Sequence, residues 1–115
     1  MENRYTKQAR EALDAAEVYA KELKHPYIGT EHLLMGLRTS ISGVAAQVLE
    51  MNGLREEDVR KVVGELGSRV GDEPFSGRPK ESPRLKFILE EGRKMAERFR
   101  MSEVGTEHLL LAIVR

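Results

Sequence analysis

The chain has 115 residues, enough for one small domain or for two intimately packed halves. Nineteen basic and nineteen acidic residues cancel, so no net field draws the molecule toward nucleic acid or an anionic membrane. Cysteine is absent, which excludes disulfides, thiolate metal sites and cysteine nucleophiles.

A third of the residues are charged and 40% are hydrophobic, with 5% aromatic, the composition of a soluble helical protein. No apolar run reaches transmembrane length. Met1-Glu2-Asn3-Arg4-Tyr5 leads into a helix pattern without the apolar core of a signal peptide, so the expected location is the cytoplasm.

The first predicted helix runs from about Thr6 to Lys24. Ala9, Ala12, Leu13, Ala16, Tyr19, Ala20 and Leu23 recur with a helical period, and the alanines imply close helix contacts rather than a bulky core. His25-Pro26 is expected to end it, and His25 needs no more than a cap or an exposed role there. A second helix, Thr30 to about Thr39, carries Leu33, Leu34, Met35 and Leu37 and reads as the buried helix of its half. A third is expected after Ser42 as cap, with Val44, Ala45, Val48 and Leu49, and Asn52-Gly53 supplies left-handed geometry to end it. A fourth is predicted from about Glu56 to Leu66, or as far as Val70, with Val59, Val62, Val63 and Leu66 on one face.

Between Ser68 and Ser82 glycine and proline punctuate a charged stretch whose one aromatic is Phe75, which reads as an exposed linker. Ser82-Pro83 then starts a helix to about Arg100, with Leu85, Ile88, Leu89, Gly92, Met95, Ala96 and Phe99 inward. Each of these positions lies 76 residues after a member of the first helix's stripe. The same offset carries Gly29-Thr30-Glu31-His32-Leu33-Leu34 onto an identical Gly105-Thr106-Glu107-His108-Leu109-Leu110. The chain is therefore an internal repeat: residues 1–70 form the first copy, 71–81 a linker and 82–115 a second copy. The second has no counterpart of Ser42–Val70 and is expected to be truncated, as in a trimmed chain.

The duplicated segment reads as a loop leading into a helix, with Thr30 and Thr106 as N-caps and Glu31 and Glu107 in the first turn. One reading is structural: threonine caps, leucine fills the core, glycine permits the tight approach, and histidine packs with one nitrogen hydrogen-bonded. The other is a ligand site. A helix start has unpaired amides that attract anions, and a glutamate beside them attracts a guanidinium. Phosphorylated arginine carries both groups, though a peptide terminus or an ordinary arginine would satisfy part of the same arrangement. Metal-ligand spacings, a phosphate-binding Gly-rich loop and a serine elbow are all absent, so no catalysis is expected from this chain.

The segments Tyr27–Leu37 and Val104–Ile113, with Gly43–Leu49 between them, resemble the amino-terminal repeat domain of the Clp/Hsp100 ATPases, the ClpC branch above all. The resemblance spans the whole chain. It implies an all-α, pseudo-twofold bundle of two helical repeats, of whose eight helices this chain would supply about six. It further implies a non-catalytic domain that receives protein substrates and adaptors, including an adaptor of the MecA type and the arginine-kinase system. ATP and magnesium would belong to ATPase domains outside this chain; the isolated domain would be a monomer and the parent a hexamer. Phosphoarginine would bind once per repeat, at Thr30 and Glu31 and at Thr106 and Glu107, and the alternative is a module that only docks adaptors. Where the first copy has His25-Pro26-Tyr27-Ile28, the second has Met101-Ser102-Glu103-Val104, and Glu103 adds a negative charge expected to weaken phosphate binding there.

Overall fold

The computed structural model describes residues 4–40, 43–53, 55, 57, 61 and 76–114. Among the described residues the helices are α1 (Lys7–Glu22), α2 (Thr30–Thr39), α3 (Val44–Met51), α4 (Pro83–Arg98) and α5 (Thr106–Val114). The helix expected over residues 56–70, and Ser42 and Phe75, lie outside the described residues apart from a few isolated positions.

Helix α1 is capped by Thr6, whose hydroxyl accepts the Ala9 amide at 3.1 Å, and α4 by Ser82, which accepts Leu85 N–H at 3.0 Å with Pro83 at the first helical position. The two caps stand at equivalent positions. So do the two exits. Lys24 and Arg100 are left-handed, at φ 60 and 58, and the amides that follow them, of His25 and Met101, reach back to Ala20 O at 2.9 Å and Ala96 O at 2.8 Å. This is a Schellman closure made without glycine. Helix α1 has thus ended at Glu22, before Pro26 can act; its C-cap Leu23 and its counterpart Phe99 are exposed rather than inward.

Alanine sets the helix spacing. Ala9, Ala12, Ala16 and Ala20 are all fully buried, and a Cβ on Gly36 of α2 would overlap the Ala12 carbonyl oxygen, so backbone lies against backbone. In the second copy Ile88 and Ala112 replace Ala12 and Gly36, and both are buried. Leu33, Leu37, Leu85 and Leu109 complete a core shared by the two copies.

Two short parallel contacts tie the copies together. Strand β1 (Tyr27–Ile28) pairs with β2 (Lys80–Glu81), and Tyr5 bridges Val104. Under the 76-residue offset Tyr5 maps onto Glu81 and Val104 onto Ile28, so these are one contact made twice with the copies exchanged. The end of the expected linker is therefore not free chain: Pro79 is buried and Lys80–Glu81 are paired. A third link is Thr106 Oγ1, which accepts the Ala45 amide at 3.2 Å. Helix α3 has Gly43 as its N-cap, so the missing side-chain acceptor is supplied by the other copy.

Candidate functional site

Strand β1 delivers the chain to Gly29, the N-cap of α2, with φ −101 and ψ 178. Thr30 is the first helical residue, not the cap expected from sequence, and Thr106 likewise opens α5. The side chain that organises each helix start is histidine. His32 Nδ1 accepts the Gly29 amide at 2.9 Å, and His108 Nδ1 accepts the Gly105 amide at 2.8 Å. A residue at the third helical position reaching back to the N-cap amide is half of a capping box, a task usually performed by Glu or Gln.

Because histidine takes that amide, the glutamates are released from it. Glu31 and Glu107 instead fold over Gly29 and Gly105, where any Cβ would overlap their Oε1 atoms. A side chain at either glycine would have to displace that carboxylate. Glu31 remains 30% exposed, and Glu107 is also half-buried, so neither carboxylate turns into the core. The amides of Thr30, Glu31, Thr106 and Glu107 have no protein acceptor among the described residues. Each helix start thus leaves N–H groups without a protein acceptor, at the positive end of the helix dipole, beside a carboxylate.

His32 is nearly fully buried, and its Nε2 lies 2.7 Å from Nδ1 of His25, with the rings tilted at 58° and their centroids 5.0 Å apart. Since His32 Nδ1 already accepts an N–H, the proton between the rings belongs to His32 Nε2. Burial, reinforced by the neighbouring His25, pushes the His32 pKa down to about 4. The ring is therefore neutral near pH 7, and the 3.6 Å approach of Glu31 Oε1 to His32 Nδ1 is proximity rather than an ion pair. His25 is buried, contrary to the cap or exposed role expected of it. In the second copy Met101 stands in its place, and Phe99 stacks on His108 with centroids 6.4 Å apart.

A cleft of about 350 Å³ opens at the start of α2, lined by His25, Tyr27, Thr30, Glu31 and, from the start of α4, Pro83 and Arg84. The structure brings Thr30 and Glu31 together in this cleft. It places Thr106 differently: that residue is 2% exposed, and its hydroxyl is occupied by Ala45 N–H between the copies. Sequence reasoning missed His25, Tyr27 and Arg84. The last comes from the opposite copy, carried there by the β1–β2 pairing, and nothing in its local sequence marks it. Among the described residues no group of three or more His, Asp or Glu could hold a metal ion, and no helix is long and apolar enough to cross a membrane.

Fold and site together define an all-α domain of two interlocked repeats, each opening a helix with Gly-Thr-Glu-His. The chain belongs to the Clp repeat (R) N-terminal domain family, whose model matches residues 4–115. It is 39% identical over 116 residues to the ATP-dependent Clp protease ATP-binding subunit ClpC of Staphylococcus aureus strain USA300, covering 97% of this chain but 13% of that protein. The N-domain of ClpV from Vibrio cholerae superimposes with a TM-score of 0.78 at 24% identity, over 95% of this chain and 65% of that one. The N-terminal domain of Hsp104 from Candida albicans gives 0.77 at 16% identity, over 98% and 75%. A ClpV N-domain has also been solved in complex with a VipB peptide, with a TM-score of 0.78 to this chain at 24% identity, over 95% and 66%.

Proposed function

We propose that this chain is the recognition domain of a Clp-type ATPase, and that its two Gly-Thr-Glu-His helix starts hold phosphorylated arginine on proteins to be unfolded and degraded. The observation that carries the proposal is the cleft at the start of α2, where the Glu31 carboxylate stands beside the open amides of Thr30 and Glu31, with Arg84 in the wall. A guanidinium takes the carboxylate through parallel N–H donors, and the phosphoryl oxygens take the amides. Glu107 and the amides of Thr106 and Glu107 repeat this arrangement; Thr106 contributes its backbone there, its hydroxyl being taken. The likeness to ClpC supports the setting, and the peptide complex of a ClpV N-domain supports peptide binding by the fold.

On this reading residues 1–70 and 82–115 are two copies joined by 71–81, the domain is not itself catalytic, and an adaptor of the MecA type docks on the same domain in a cytoplasmic hexamer. Fluorescence anisotropy with one labelled peptide in three forms tests the ligand class. The phosphoarginine form should bind, and the arginine and phosphoserine forms should bind far more weakly. Equal binding of all three would leave only an adaptor-docking module.

A further inference from the structure

We infer that the helix starts of α2 and α5 are not equivalent sites: the first holds the phosphoryl group more tightly, with His25 as a binding residue that presents its Nε2–H to an anionic oxygen, and the second, without that donor, relies chiefly on the guanidinium. This rests on the function proposed above and assigns to each site its share of the ligand.

The polarity of the buried histidine pair follows from one fixed donor. The Gly29 amide can only donate, so His32 Nδ1 accepts and His32 Nε2 carries the proton. His25 Nδ1, 2.7 Å away, must then accept, which leaves the proton of His25 on Nε2. Gly29, His32 and His25 form a relay in which every link donates in the same direction. His25 is 9% exposed and lines the cleft with Glu31 and Arg84. Its Nε2–H has no protein acceptor among the described residues, nor is any described side-chain nitrogen or oxygen both fully buried and unpartnered. That N–H therefore keeps solvent access, in a residue whose other nitrogen is locked. A neutral donor, two open amides and a guanidinium suit a phosphoryl group, while Glu31 suits the cationic part of the same ligand.

The second site keeps the acid and the helix-start amides but loses the imidazole donor and the guanidinium. The repeat puts Met101 where His25 stands, Gln8 where Arg84 stands, and Glu103 where Tyr27 stands. A thioether donates nothing, a carboxamide carries no charge, and a further carboxylate repels phosphate. Glu107 remains to hold a guanidinium.

Nuclear magnetic resonance of the 15N-labelled chain near neutral pH, titrated separately with phosphoarginine and with arginine, tests this. Amide shifts around Glu31 and Glu107 report each site, and long-range histidine spectra report the tautomers. His25 should be the Nε2–H tautomer, and its Nε2 resonance should move when phosphoarginine binds. The first site should bind phosphoarginine at least roughly tenfold more tightly than the second, the value of one hydrogen bond to a charged group. His25→Met should weaken phosphoarginine binding at the first site and reduce that preference, Arg84 and Tyr27 remaining, and Met101→His should narrow it from the other side. An Nδ1–H tautomer for His25, equal affinities in the unmodified chain, or a folded His25→Met chain that binds as before would each overturn this inference and leave the proposed function standing. Binding of phosphoarginine at neither site would overturn both.

Discussion

Thr106 Oγ1 accepts the Ala45 amide at 3.2 Å, across 61 residues of sequence, so a residue at the mouth of the second repeat caps a helix of the first. Both partners are buried. Thr106→Val keeps the shape and removes the acceptor, leaving an unpaired N–H at the start of α3; it should cost about 1–2 kcal/mol. Thr30→Val, at the equivalent position, removes a hydroxyl with no hydrogen-bond partner among the described residues and should cost less than about 0.5 kcal/mol. Urea denaturation of the two variants distinguishes them, and equal losses would contradict the assignment.

His32 makes stability depend on pH. Its pKa falls from 6.5 to about 4 on folding, because the ring is buried and lies against His25, with Glu31 the nearest carboxylate. Between those two values the unfolded chain binds the extra proton, so stability is full above pH 6.5 and declines as the pH falls toward 4. The loss attributable to this residue should be ~2–4 kcal/mol. His32→Gln places an untitratable acceptor at the position where a capping box normally carries one, and the corresponding part of the pH slope should vanish. Denaturation midpoints across the window check this; an unchanged slope would contradict it.

The contact of Gly36 with the Ala12 carbonyl fixes the separation of α1 and α2. Backbone cannot yield as a side chain can, so Gly36→Ala should force the helices apart and cost about 2–3 kcal/mol. Gly92→Ala meets only the end of the Leu109 side chain, at 2.9 Å, and should cost markedly less. Thermal melts of the two variants provide the comparison.

Lys24 and Arg100 hold left-handed conformations that disfavour any residue with a Cβ. Both are exposed, so glycine can replace either without loss of packing. Lys24→Gly and Arg100→Gly should each stabilise by about 0.5–1 kcal/mol, read as a raised melting temperature.

The repeat is legible because it is written in identical letters, and the helices because alanine and leucine recur at helical spacing. Ser82-Pro83 marks its helix correctly, since a cap and a first-turn proline act within a few residues. The threonines mislead: at the starts of α2 and α5 the capping acceptor is histidine, with Gly29 as the N-cap of the first, a choice that depends on what else the threonine hydroxyl can reach. For Thr106 the answer lies 61 residues away. The placement of Arg84 by a two-residue parallel pairing is equally nonlocal, and so short a pairing has no periodicity to read. The buried state of His25 follows from the Schellman turn at Lys24, which sends the ring back toward His32; a helix closing on lysine rather than glycine gives no warning in the sequence.

Calorimetric titration of phosphoarginine into the unmodified chain and into the Glu31→Ala, Glu107→Ala double variant, with melting temperatures taken alongside, is the most direct measurement of whether these acids receive a ligand. The unmodified chain should give heat of binding and the variant none, with both melting within a few degrees of each other. Undiminished binding by a folded double variant, or no binding by the unmodified chain, would contradict the role assigned to the two glutamates.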